Sequence, residues 1–102
     1  MILHTFGDSH CFFPWNMIEI DNLIIKTHHL GPKTCASFGL EKLNLINIKN
    51  MGVDEGDAVC FCFGEIDCRS HMCKPQNYEI YKTLINEIVF RYFEAIKLNV
   101  EQ

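Results

Sequence analysis

The sequence predicts an α/β domain built on a parallel sheet, and three observations point there. Strand-like and helix-like segments alternate along the 102 residues. The run Ala58 to Phe63 is apolar on both faces, as in a strand covered by helices on each side. The stretch from Asn77 to Leu98 repeats apolar residues at three- and four-residue steps, which reads as one long amphipathic helix. Alternation of this kind implies parallel strands joined by crossovers.

The elements follow in order. Ile2 to Phe6 is the first strand and leads directly into Gly7-Asp8-Ser9. A short helix is expected from Ser9, disturbed by Pro14. Leu23 to Thr27 is the second strand, centred on Ile24 and Ile25. A helix from Thr34 to Ile46 starts after Gly31-Pro32 and carries Phe38, Leu43, Leu45 and Ile46. Met51 to Asp57 is rich in Gly and Asp and forms a turn before the third strand, Ala58 to Phe63. Asn77 is the expected N-cap of the long helix. Its apolar stripe is Tyr81, Leu84, Ile85, Ile88, Tyr92, Phe93 and Ile96, with Glu79, Lys82, Glu87, Arg91 and Glu94 around it. In such a fold a crossover helix leads to another parallel strand. The expectation is therefore one domain over residues 1–102, truncated before its last strands. A partner chain or a missing C-terminal segment would complete the sheet.

Composition narrows the function classes. An apolar fraction of 48% supports a packed core. The net charge is −4 and the nine Lys and Arg are scattered, which argues against nucleic acid as a partner. The apolar N-terminal stretch is short and lacks a basic flank, so no secretory signal is expected. No window approaches the ~18 apolar residues of a membrane span. The expected setting is cytoplasmic, without a membrane partner. The six cysteines are Cys11, Cys35, Cys60, Cys62, Cys68 and Cys73. Without export, disulfides are not expected, and Cys60 and Cys62 read as small apolar side chains. A zinc site at Cys68, His71 and Cys73 is the sharper alternative, but its spacing does not fit a paired cysteine framework. No metal and no cofactor are expected.

Ligands of open parallel sheets bind beyond the carboxyl ends of the strands. Three polar clusters fall there: Gly7 to His10, His28 to Pro32, and Gly64 to His71. Taken singly, each has a plain structural explanation. Gly-Asp-Ser is a common turn and cap. His28 and His29 are ordinary at a strand end, and Gly31-Pro32 is by default a turn. Glu65, Asp67 and Arg69 form surface ion pairs elsewhere in proteins. Their convergence on one sheet edge is what points to a site.

The same residues carry a resemblance. Phe6 to His10, His29 to Thr34, and Phe63 to Arg69 with His71 resemble, in that order, motifs of the N-terminal part of SGNH/GDSL-type hydrolases. The Gly-Glu-Ile-Asp-Cys-Arg sequence is similar to that of one branch of SGNH-like proteins. The resemblance implies a flavodoxin-like three-layer α/β/α sandwich. It also implies ester hydrolysis or acyl transfer without a metal, on a small-molecule or glycan ester.

Carried over by residue, Ser9 is the nucleophile and Asp8 braces its loop. The N–H groups of Ser9 and Gly31 are oxyanion donors, and Gly64 opens the third motif. Where the family has an asparagine donor two residues after that glycine, this chain has Ile66. The late Asp-x-x-His pair is absent from these residues. A serine needs a base within hydrogen-bond reach. The local candidates are His10, His28, His29 and His71, with His71 the best placed stand-in; the alternative is that the family's histidine lies beyond residue 102. His10, Glu65, Asp67 and Arg69 are expected to hold ligand. The alternative is a non-catalytic module on the same fold that binds a small polar ligand such as a sugar.

Overall fold

A computed structural model describes residues 1–68 and 78–102. Arg69, His71, Cys73 and the expected cap Asn77 lie outside the described residues. Three strands, β1 (Ile2–Gly7), β2 (Ile24–His29) and β3 (Ala58–Cys62), form a parallel sheet in the order β2-β1-β3. The chain is thus an α/β fold. Among the described residues its helices include α1 (Cys35–Glu41) and α2 (Tyr78–Val100), with short 3-10 turns between the elements.

β1 is central, which is why His4, Thr5 and Phe6 are all buried. Its side chains alternate between the two faces. On one face Phe6 stands level with His28 of β2 and Phe61 of β3. The Phe6 ring stacks on His28 at 4.3 Å and lies 5.9 Å from Phe61. Phe38 of α1 stacks over Phe61 and Phe63, and Tyr92 of α2 meets Phe38 edge-on at 5.7 Å. Phe6, Phe38, Ile46 and Ala95 are fully buried and form the core. Burying each of the larger side chains contributes about 1.5–3 kcal/mol.

The two helices pack closely because Gly39 has no side chain. A Cβ there would lie 2.9 Å from the Cβ of Arg91. On the opposite sheet face, Thr5 Oγ1 donates to the Cys11 carbonyl. The Cys60 and Cys62 sulfurs lie 3.8 Å apart there, half-buried. Burial pushes the Cys62 thiol up to about 12, so it stays protonated at neutral pH. Cys11, Cys35, Cys60 and Cys62 are free thiols.

Three boundaries differ from the sequence reading. β2 runs through His28 and His29, so both histidines belong to the strand. α1 stops at Glu41 because Lys42 takes a positive φ of 52°, and Leu43 falls in a 3-10 turn (Lys42–Asn44), with Leu45 and Ile46 beyond it. The expected helix from Ser9 is a single 3-10 turn, Ser9–Cys11. Among the described residues, no helix is long and apolar enough to cross a membrane.

Candidate functional site

A shallow cleft of about 270 Å³ opens beyond the carboxyl ends of the strands. Asp8 and Ser9 line it from the end of β1. His29, Gly31 and Pro32 line it after β2, and Glu65 and Ile66 after β3. Residues more than fifty positions apart in sequence thus share one wall. The parallel register produces this, because it sets Gly7 level with both His29 and Cys62.

The turn at Gly7 depends on a bare backbone. Its φ is +151°, and a Cβ there would come within 2.1 Å of the Cys62 carbonyl oxygen. That contact is impossible, so only glycine lets β1 approach β3 while turning towards Ser9. The following amide of Asp8 donates to the same carbonyl at 3.4 Å.

Asp8 is buried and caps the 3-10 turn. Its Oδ1 accepts from the His10 backbone N–H at 2.9 Å and lies 3.0 Å from His10 Nδ1. Its Oδ2 is buried and has no hydrogen-bond partner among the described residues. Asp8 therefore braces the loop and holds the His10 ring at once. Ser9 itself is exposed, between them. A turn of three residues has too few aligned peptides for a useful macrodipole. Any stabilisation of negative charge at Ser9 must come from individual N–H groups.

The third cluster separates into two roles. Glu65 is exposed at the cleft. Asp67 is buried and faces α1: Oδ1 accepts from Cys35 N–H at 2.7 Å and Oδ2 from Ala36 N–H at 3.0 Å. It satisfies two of the donors that every helix N-terminus leaves open. Thr34 and Ser37 complete a reciprocal capping box beside it. The geometry thus makes Asp67 a bracket between the β3 loop and α1. Arg69 and His71 lie outside the described residues. Burial, with Asp67 nearby, pushes the Cys35 thiol up to about 12 and leaves it inert.

The two adjacent histidines point to different places. His29 lines the cleft, while His28 turns to the sheet interior. There, His28 Nε2 lies 3.0 Å from His4 Nδ1, and His4 Nε2 lies 3.0 Å from Asp57 Oδ2. Burial lowers the His28 pKa below its ordinary 6.5, helped by His4 and Lys26. The Asp54 amide and the His4 ring hold Asp57 below the usual carboxylate range. Sequence reasoning missed this chain of three groups. A histidine in the middle of an apolar strand was the available signal.

Among the described residues, no group of three or more histidine, cysteine or acidic side chains is placed to hold a metal ion. Of the alternative zinc set, Cys68 is described and exposed, while His71 and Cys73 lie outside the described residues. The chain matches no family model, no curated protein and no solved structure.

Proposed function

We propose that the cleft is the active site of a serine esterase or acyltransferase of SGNH/GDSL type. Its Ser9 would attack the carbonyl of a small-molecule or glycan ester. The observation that carries this is the meeting of Asp8, Ser9, His29, Gly31 and Glu65 in one cleft at the strand ends. An exposed serine beside a braced loop is accessible to a carbonyl carbon. The N–H groups of Ser9 and Gly31 are assigned to the oxyanion, each worth ~100- to 1,000-fold in rate for such a site. Gly64 shapes the β3 turn, and His71 is the assigned base. The strand order β2-β1-β3 supports a flavodoxin-like sheet, which opens in the same order.

Hydrolysis of an activated ester, p-nitrophenyl acetate, tests the reading. The expected result is turnover that Ser9→Ala removes and His71→Ala greatly slows. Turnover unchanged in Ser9→Ala overturns it. A second reading, a sugar-binding module without catalysis, is favoured by Ile66, an apolar side chain in the cleft wall at the position of the family's asparagine donor. It predicts no turnover in any variant and carbohydrate binding that survives Ser9→Ala.

A further inference from the structure

The sheet face away from α1 carries a pair of thiols that the cleft does not use. Side chains alternate along a strand. Phe61 points to Phe38 of α1, so its neighbours Cys60 and Cys62 point the other way. Residues two apart on a strand stand about 6.6 Å apart at Cα. These two side chains lean together across that gap, and their Sγ atoms lie 3.8 Å apart. Neither is sealed in. Both residues are half-buried, whereas Cys11 and Cys35 are buried.

The surroundings set the pair apart from the other cysteines. The indole N–H of Trp15, the one tryptophan of the chain, donates to the Cys62 sulfur. Such a group only donates, so it favours thiolate over thiol. Cys11 is close enough for its charge to act on Cys62, but its own thiol is spent on the His28 carbonyl at 3.4 Å. Among the described residues, no third histidine, cysteine or acidic side chain is placed to join the pair around an ion.

Distance decides what the pair can hold. A disulfide would need its sulfurs about 2.05 Å apart, on an extended strand whose Cα spacing already approaches the upper limit of about 6.8 Å. A metal ion needs no such approach. At the usual metal–sulfur length of about 2.3 Å, an ion bridging sulfurs 3.8 Å apart subtends about 110°. Zinc fits that angle but takes four ligands, and this pair supplies half of them. Cu(I) is soft, selects thiolates, and is satisfied by two or three ligands.

We propose that Cys60 and Cys62 form a Cu(I) site, in which the ion bridges both sulfurs and takes its third ligand from solution. A coordinating thiol is deprotonated outright. One copper ion and two thiols therefore give a copper dithiolate and release two protons, and copper stays monovalent throughout. The Trp15 N–H then donates to a charged sulfur, which strengthens that bond.

The test is anaerobic titration of the whole chain with Cu(I), supplied as its acetonitrile complex, against the chelator bathocuproine disulfonate. Cys60→Ser and Cys62→Ser should each weaken the tightest binding by at least about 100-fold, more than the loss of an outer-shell partner costs. Cys68→Ser, which changes an exposed cysteine after β3, should leave it unchanged. Cu(I) is diamagnetic, so proton–nitrogen NMR gives a second reading that needs no variant. The single indole N–H signal should shift with the first equivalent of copper. Binding that both Cys60→Ser and Cys62→Ser retain overturns the proposal, because the ion then sits elsewhere. So does binding lost in Cys68→Ser, or an indole signal that ignores the first equivalent. None of these outcomes bears on Ser9.

Discussion

At the residue scale, the buried polar side chains divide the labour. Asp67 spends both oxygens on the α1 N-terminus, and His4 spends both ring nitrogens on Asp57 and His28. Asp67→Ala leaves two buried donors unmatched and should destabilise the fold by about 1–3 kcal/mol, read from urea unfolding. The His28 pair makes stability depend on pH. Its pKa is lower in the folded chain, so between that value and 6.5 the unfolded chain binds more protons. Stability is therefore full above 6.5 and falls as the pH drops from there towards the folded value. Below 3.8, loss of the Asp57 charge removes more. Unfolding midpoints measured across pH 8 to 5 should show the first slope, and His28→Gln should flatten it. Little of this was legible beforehand. The sequence offered two histidines at a strand end, and only the pleat decides which one enters the cleft.

At the element scale, propensity and packing compete, and packing decides. Gly39→Ala would ordinarily favour the helix by about 1 kcal/mol. Here the added Cβ sits 2.9 Å from Arg91 Cβ and 3.1 Å from its backbone carbon. Overpacking of that kind costs about 1–3 kcal/mol, so a net loss in melting temperature is expected. Gly7→Ala is harsher, because its neighbour at 2.1 Å is a backbone carbonyl that cannot swing away. A loss beyond about 4 kcal/mol, or failure to fold, should follow on urea titration. The strands were legible to within two residues, β3 because its apolar run is continuous and β1 and β2 because Ile2-Leu3 and Leu23-Ile24-Ile25 open them. The end of α1 was not, because Leu43, Leu45 and Ile46 keep an apolar pattern while the backbone turns at Lys42. Hydrophobic pattern reports burial, and a 3-10 turn buries side chains as readily as a helix does.

At the scale of the whole molecule, parallel register does what no single motif does. It carries three short polar sequences to one edge of the sheet and leaves a cleft between them. Among the described residues the same register leaves β3 at the edge of the sheet, where Tyr92 of α2 reaches it. The convergence of the clusters was legible from the rule for open parallel sheets. The division between cleft-facing Glu65 and bracing Asp67 was not, since it depends on where α1 begins in space. The central claim is that Ser9, in that cleft, is an activated nucleophile. Fluorophosphonate labelling, read by intact mass and by mapping the modified residue, tests it most directly. The account predicts one adduct, on Ser9, lost in Ser9→Ala and slowed in His71→Ala. A folded chain that takes no adduct, or takes it at another residue, contradicts the account.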